Sequence, residues 1–156
     1  MRRGPRHPDM PASPARRRVV DRLQRSLANP LDKLAFTLGT PPPGDALLET
    51  TGRRTGLRQV TPVCDGTDGD IFWIVAQRGH AADYVRNIEV EPRVRVKGSL
   101  ARTGWRTGTA HVLDDDDPQE RIRLLGQGNR WRQLCVQASA AIATDPLTVR
   151  IDLDPC

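Results

Sequence analysis

The alternation of apolar and polar positions predicts strands along most of the chain beyond residue 45. The stretch at 71–76 is apolar at every position, which is typical of a strand buried on both faces. Gly108 lies inside a predicted strand, where a glycine indicates a bend or a bulge. The predicted strands cover residues 46–50, 59–64, 71–76, 93–97, 105–113 and 148–153.

Apolar residues at helical spacing predict helices over 19–27, 30–38 and 81–90. Four consecutive aspartates at 114–117, followed by Pro118, predict a helix start with an aspartate N-cap; a metal site built from these carboxylates is the alternative. Meandering strands with helices at the ends predict a mainly β fold with flanking helices, an antiparallel barrel rather than a doubly wound sheet. The predicted apolar face of the last helix consists of Leu134, Cys135, Ala138, Ala141 and Ile142.

The net charge of +5 belongs to the N-terminal 18 residues of the 156-residue chain. That segment has six arginines and one aspartate, whereas the remaining chain has 18 basic and 18 acidic residues. We therefore predict a disordered basic tail over 1–18 and a single domain over 19–156. We favour a solvated tail and expect no nucleic-acid partner. A peripheral membrane contact through the tail or the first helix is the alternative.

The cysteines and the lack of long apolar runs bear on the cellular compartment. Cys64, Cys135 and Cys156 are far apart and odd in number, a pattern that favours neither a metal site nor a disulfide framework. No apolar run approaches the ~20 residues of a membrane-spanning helix, and the N-terminus lacks the apolar core of a signal peptide. We therefore expect a cytoplasmic protein with free thiols and without bound metal.

The densest cluster of candidate binding residues lies between the first two predicted strands. Gly52 and Gly56 allow a sharp turn with exposed amide groups, and Arg53, Arg54 and Arg58 place three guanidinium groups around it. Guanidinium groups bind phosphates and carboxylates through paired hydrogen bonds. The turn is therefore a candidate anion site; an exposed hairpin with ordinary surface arginines is the alternative.

A second candidate segment, residues 76–80, lies between a predicted strand and the next helix. The N-terminus of that helix favours a negatively charged ligand, and Arg78 is placed to join the arginines of the turn. His80 is a candidate proton donor, with helix capping as the alternative. Tyr84 and Asn87 lie on one helix face. The alternative is that Tyr84 packs on the barrel while Asn87 bonds to loop backbone.

Seven segments match the motifs of one known family in order and spacing. They are 48–56 (LETTGRRTG), 61–62 (TP), 76–79 (AQRG), 83–88 (DYVRNI), 92–94 (PRV), 105–110 (WRTGTA) and 147–153 (LTVRIDL). Together they resemble the deazaflavin (F420)-dependent nitroreductase family over roughly residues 29–153. The resemblance implies a split β-barrel of the FMN-binding-like type that reduces quinones or nitro compounds with a hydride from reduced coenzyme F420. We expect a monomer or a homodimer.

The resemblance also assigns roles by position. The arginine-rich turn would hold the phosphate and glutamate tail of F420, 59–64 would run along its ring, and 84–87 would close the pocket. Apart from the resemblance, His80 and Tyr84 are the catalytic candidates. Other members have Ser-Lys at 77–78, two glycines at 79–80 and C-terminal tyrosines that this chain lacks. FMN as cofactor, or a non-catalytic flavin, haem-like or fatty-acid carrier, is the alternative. The expected cofactor contacts are Arg53, Arg54, Thr55, Arg58, Gln59, Val60, Thr61, Pro62, Cys64, Ala76, Gln77, Arg78, Gly79, Tyr84, Val85 and Asn87.

Overall fold

The structure, a computed structural model, describes residues 41–98 and 104–155. The basic tail, the two N-terminal helices expected over 19–27 and 30–38, and Cys156 lie outside the described residues. The elements in chain order are β1 (Asp45–Thr51), β2 (Arg58–Cys64), β3 (Thr67–Asp68), β4 (Ile71–Ala76), a 3₁₀ turn (Gly79–Ala81), α1 (Asp83–Val90), β5 (Arg93–Gly98), β6 (Arg106–Leu113), α2 (Pro118–Leu125), α3 (Arg130–Ile142) and β7 (Leu147–Leu153).

The strands form one antiparallel sheet in the order β2-β1-β5-β6-β7-β4-β3. β1 and β2 form a hairpin in which Asp45 lies opposite Cys64 and Thr51 lies opposite Arg58. The sheet curls into a half-barrel, with β2 and β3 at its two ends and the helices beside it. The predicted mainly β fold with flanking helices, a split β-barrel, is confirmed.

One face of the sheet and the inner side of α1 form the core. In β1, Ala46, Leu48 and Thr50 face inwards and are at most 2% exposed, as the two-residue period of a strand requires. Val85 and Ile88 of α1 belong to the same buried cluster. Because burying an apolar side chain of this size contributes about 1.5–3 kcal/mol, these contacts fix α1 against the sheet.

β4 is not buried on both faces, contrary to the prediction. Alternate residues beginning with Phe72 are buried, whereas the others, including Trp73, are half-buried. The guanidinium carbon of Arg121 in α2 lies 3.7 Å from the centroid of the Trp73 ring. A cation–π contact therefore covers the second face, where an apolar layer was expected.

Two strand features differ from the expectation. Gly108 pairs regularly with Val94 and Leu153, so it marks no bulge. A Cβ at Gly108 would lie 2.6 Å from the carbonyl oxygen of Asp152, and the glycine therefore permits close approach of β7. β3 was not predicted, because two residues are too few to give a recognisable alternation.

The start of α2 confirms the aspartate N-cap. The Asp117 carboxylate accepts hydrogen bonds from two backbone N–H groups of the first turn, and a proline follows it. Asp114 and Asp116 instead pair with His80 and Arg121. The carboxylates therefore point to separate partners, which does not favour the alternative of one shared metal ion.

The predicted apolar face of α3 is wrong in part. Leu134 is 59% exposed and Ala138 and Ala141 are exposed, whereas Val136, at 4%, is the buried residue of this helix. Alanines carry too little apolar surface to choose the buried side of a helix, so the position of α3 follows its tertiary contacts. Among the described helices, none has the length and apolar character needed to cross a membrane.

Cys64 and Cys135 form a disulfide, contrary to the expectation of free thiols. Their Cα atoms are 5.9 Å apart, within the usual range for this bond. The bond joins the end of β2 to α3 across 71 residues of sequence. Cys64 is thus bound within the protein at the end of β2 farthest from the arginine-rich turn, which argues against the predicted contact of its thiol with a cofactor.

Candidate cofactor site

The arginine turn, defined as residues 52–58, is closed by its glycines. The N–H of Gly52 donates to the carbonyl oxygen of Leu57 at 2.7 Å, and the N–H of Gly56 donates to the carbonyl oxygen of Gly52 at 2.8 Å. Gly56 has a φ of 69°, which residues with a Cβ rarely adopt. The turn therefore has a defined backbone from which its side chains project.

Arg53 ties the arginine turn to the start of α1. Its guanidinium donates to the Asp83 carboxylate at 3.0 Å and to the side-chain oxygen of Asn87 at 3.1 Å. Its backbone N–H donates to the same Asn87 oxygen, also at 3.1 Å. Because the charge of Arg53 is balanced within the protein, this residue positions the turn and does not offer a free cation to a ligand.

Asn87 is the centre of the polar network behind the turn. It is 1% exposed, and its amide nitrogen donates to the Thr50 hydroxyl at 3.1 Å and to the Gln59 side-chain oxygen at 3.0 Å. Together with the two bonds from Arg53, these satisfy both polar atoms of the side chain. The alternative in which Asn87 bonds to loop backbone is confirmed, and a bound cofactor would have to displace these bonds to reach it.

Arg54 and Arg58 are the exposed cations of the arginine turn. No carboxylate of the described residues lies within ion-pair distance of Arg54. Arg58 is 67% exposed and lies 3.4 Å from Glu49, which accepts two hydrogen bonds from Arg95 at 2.7 and 2.8 Å. The Arg95 guanidinium lowers the pKa of Glu49 and keeps it ionised. Arg58 and Arg95 thus share one carboxylate and Arg54 has none among the described residues, so these three arginines carry two positive charges more than their carboxylate partner balances.

β2 divides the expected ring contacts between two faces of the sheet. Side chains alternate along a strand, so Gln59 and Thr61 face the barrel interior. Val60 and Pro62 face outwards on the same side as Cys64, and both are exposed, Val60 to 51%. A single flat ligand therefore cannot contact every expected side chain of this strand.

Residues 76–79 are anchored to the connection between α3 and β7. The carbonyl oxygen of Gln77 accepts hydrogen bonds from the N–H groups of Thr144 and Asp145 at 3.0 and 3.2 Å. Gly79 has a φ of 50°, and a Cβ there would lie 2.5 Å from the carbonyl oxygen of Asp145. The arginine turn is anchored to a different element, α1. That Arg78 joins Arg53 and Arg54 around one ligand stays a prediction.

Tyr84 and Val85 face the core from α1. Val85 is fully buried and offers no surface to a ligand, contrary to its expected cofactor contact. Tyr84 is half-buried against the core cluster, which confirms the packing alternative. Burial raises the pKa of the Tyr84 phenol well above its usual value. The phenol therefore keeps its proton, which weakens its case as a proton donor.

His80 is exposed on the other flank of α1. Its two ring nitrogens each lie 2.6 Å from a carboxylate oxygen, Nε2 from Asp114 and Nδ1 from Glu89. The bond to Asp114 and then that to Glu89 raise the pKa of His80. Its side chain caps neither the 3₁₀ turn nor α1, so the capping alternative is wrong. At 3.6 residues per turn, Glu89 is about 200° around the axis from Asn87, which places His80 away from the arginine turn.

Three residues of this site carried no assigned role in the sequence. Asp83 and Glu49 lie within matched segments, and their carboxylates bind arginines of the turn. Arg95 reaches Glu49 from β5, 46 residues further along the chain. Glu49 and Arg95 have opposite charges and lie opposite each other on β1 and β5, and this complementarity could have identified them. Using it requires the register of β1 with β5, which no local motif encodes.

The half-barrel and its basic turn define a split β-barrel protein of the FMN-binding-like class. The chain matches the F420H(2)-dependent quinone reductase family over residues 18–154 and belongs to that family. Membership of this family makes the protein an F420H2-dependent oxidoreductase. Among curated proteins, no sequence matches this chain.

Solved structures share the fold at low sequence identity. The haem storage protein HutZ from Vibrio cholerae is 16% identical over 72% of this chain and 83% of that chain, with a TM-score of 0.50. Atu2129 from Agrobacterium tumefaciens is 18% identical over 72% of this chain and 49% of that chain, with a TM-score of 0.52. The F420-H2 dependent reductase FDR-A is 17% identical over 71% and 94%, at 0.48. At such identities the first two show a common fold alone.

Proposed function

We propose that this protein transfers a hydride from reduced F420 to a small organic acceptor, a quinone or a nitro compound. The observation that carries the proposal is the family match over residues 18–154. The two uncompensated positive charges beside the arginine turn support it, because F420 carries a phosphate and a chain of glutamate carboxylates. FMN, with its single phosphate, would use this charge less fully.

The anionic tail would bind to Arg54 and Arg58. Both are exposed, and Thr55 between them adds an exposed hydroxyl. Arg53 would act indirectly, because its hydrogen bonds to α1 hold the backbone from which Arg54 projects. Arg58 keeps its direction through the ionised Glu49 at 3.4 Å. The residues present therefore fit a multiply charged tail.

The ring would lie along the outer side of β2. Val60 is 51% exposed and Pro62 continues this apolar surface along the same face, while Leu57, 68% exposed, lies in the adjoining turn. A flat aromatic ring that covered them would remove apolar area from water at roughly 25 cal/mol per Å². On the inner face, Gln59 is exposed but its side chain is bound to Asn87, and Thr61 is half-buried.

Reduced F420, when bound, supplies the hydride. Reduction of a quinone to a hydroquinone also takes up one proton. His80 lies on the other flank of α1 and burial makes Tyr84 a weak acid, so we assign the proton to water at the open surface of β2. The protein would then contribute orientation of donor and acceptor, and the electrostatic attraction of the tail.

A titration of oxidised F420, followed by its fluorescence, tests the tail site. Arg54→Ala and Arg58→Ala are each expected to raise the Kd about tenfold, because each removes a charge-assisted hydrogen bond. Arg130→Ala removes an exposed arginine at the start of α3 and serves as the matched control. Unchanged affinity in both turn variants would refute the tail site.

The ring position is tested by a charge placed on the outer face of β2. Val60→Glu should weaken F420 binding, whereas Val90→Glu, at a valine 67% exposed on α1, should not. Turnover of menadione and of a nitroaromatic with reduced F420 then separates the two acceptor classes. Tight F420 binding without turnover of either acceptor would favour a non-catalytic carrier of the same fold.

A further inference from the structure

Two polar groups flank the sulfur atoms of the Cys64–Cys135 disulfide. A carboxylate oxygen of Asp45 lies 3.0 Å from Sγ of Cys135. The hydroxyl oxygen of Ser139 lies 3.3 Å from Sγ of Cys64. Asp45 is opposite Cys64 in the register of β1 with β2, and Ser139 follows Cys135 by one turn of α3. Three elements thus converge on one pair of sulfur atoms.

The contact with Asp45 suits a free thiol better than a disulfide. A disulfide sulfur carries no hydrogen, so a carboxylate gains no hydrogen bond from it, whereas the S–H of a reduced Cys135 would donate to Asp45. The Ser139 hydroxyl can donate to Cys64 in either the thiol or the thiolate form. The surroundings of the two cysteines therefore accommodate both the bonded state and the reduced state.

We propose that Cys64 and Cys135 form a reversible dithiol–disulfide site whose substrates are low-molecular-weight thiols and disulfides. An external thiolate attacks Sγ of Cys135, the S–S bond breaks, and Cys64 leaves as a thiolate that accepts a hydrogen bond from Ser139. A second external thiolate attacks the external sulfur of the mixed disulfide and releases Cys135 and the external disulfide. The protein gains two electrons and two protons, and the external thiols are oxidised by the same amount.

The bond controls how firmly α3 is held to the end strand β2. The other described contacts that dock α3 include buried Val136 and an ion pair of Arg132 with Asp65 at 3.8 Å. Trp131 and Leu134 on the same helix are 61% and 59% exposed. Because the crosslink closes a long loop, its reduction should lower Tm by about 10 °C.

The test uses the full chain with Cys156→Ser, which leaves the pair as its only cysteines. The protein is equilibrated at fixed pH with mixtures of reduced and oxidised glutathione. Free thiols are then alkylated, and mass spectrometry gives the number of alkylated cysteines. We expect Cys64 and Cys135 to be alkylated together in one two-electron transition. Asp45→Asn should shift this equilibrium towards the disulfide by roughly three- to tenfold, since it weakens the bond to the reduced thiol. Asp115→Asn, at an exposed aspartate elsewhere, should not.

Several results would overturn the proposal. One is a pair that stays oxidised at every glutathione ratio under native conditions, or stays reduced at every ratio. Another is an equilibrium unaffected by Asp45→Asn. A third is stoichiometric Zn²⁺ binding by the reduced protein that is lost in Cys64→Ser, which would make Asp45, Cys64 and Cys135 a metal site. A further check compares the Tm of the protein with both Cys64 and Cys135 intact before and after reduction. This comparison does not depend on how the variants fold.

Discussion

The two flanks of α1 carry similar polar groups and use them differently. On the flank that faces the arginine turn, Asn87 is 1% exposed and bonds Arg53, Thr50 and Gln59. On the other flank, Glu89 bonds His80 at 2.6 Å in an exposed position. Buried hydrogen bonds are costly to break, whereas exposed ion pairs contribute little. Burial, more than residue type, decides which flank maintains the fold.

The same contrast separates the two adjacent arginines of the turn. Arg53 is 20% exposed and bound to Asp83 and Asn87, whereas Arg54 is exposed and without a carboxylate partner in the described part of the chain. One arginine therefore belongs to the architecture and its neighbour is available to a ligand. A doublet that looks uniform in the sequence has two roles in the structure.

The largest expected effect comes from removing the centre of the buried flank. Asn87→Ala should lower the free energy of unfolding by about 3–4 kcal/mol, because four hydrogen bonds are lost and Thr50 is left unsatisfied in the core. Urea denaturation measures this. Glu89→Ala, two residues later on the same helix, should change it by less than about 0.5 kcal/mol. Equal effects from the two variants would remove the distinction between the flanks.

A second test concerns the turn that leads into α1. Gly79→Ala should cost about 2–3 kcal/mol, since the residue has a positive φ and its new Cβ would meet the carbonyl oxygen of Asp145 at 2.5 Å. Gly69→Ala is the control, because Gly69 has a φ of 59° with no atom within 4 Å of the added carbon. It should cost only about 1 kcal/mol. A thermal-melt series that ranked the two in reverse would contradict the close contact.

The arginine doublet gives a smaller and more informative effect. Arg53→Ala should lower stability by about 1 kcal/mol, since its ion pair is partly exposed but its bond to Asn87 is not. Arg54→Ala should leave stability within about 0.5 kcal/mol of the parent while weakening F420 binding. Chemical denaturation and fluorescence titration of both variants measure the two quantities. Loss of stability in Arg54→Ala but not in Arg53→Ala would contradict the assignment of Arg53 to the fold and of Arg54 to the ligand.

The smallest effect is the pH dependence of the exposed flank. The pKa of His80 is raised above 6.5 by Asp114 and Glu89. The stabilisation that it contributes is therefore complete below pH 6.5 and lost as the pH rises through the folded-state pKa. Proton NMR should give a His80 midpoint above 6.5 that falls in Asp114→Asn and in Glu89→Gln. A midpoint at or below 6.5 in the parent would show that the carboxylates do not hold the ring in solution.

The strands could be predicted because their signals are local. β1, β2 and β7 lie within a residue of the expected bounds, since alternation and the glycines between strands mark them directly. The cap at Asp117 was equally readable, because it depends on a short sequence motif. The buried side of α3 could not be predicted, because small residues lie on several faces of this helix. Val136 is buried through contacts with the rest of the fold.

The candidate site was predictable in position but not in its pairing. The glycines and arginines located the turn, yet the carboxylate partner of Arg53 is 30 residues away and one of the two carboxylate partners of His80 is 34 residues away. The bond of Cys64 to Cys135 spans 71 residues. Such partners are set by strand register and helix position, and a single sequence contains neither.

The stacking of Arg121 on Trp73 makes one tryptophan a built-in optical probe. The Arg121 guanidinium 3.7 Å from the indole centroid perturbs its excited state more strongly than that of Arg150 in β7, which lies 5.8 Å away. Partial detachment of α2 from β4 would therefore change the emission of Trp73 before the sheet itself unfolds. With Trp105 and Trp131 replaced by Phe, the Arg121→Ala variant gives the emission of Trp73 without this contact, so fluorescence can follow the motion without any attached dye.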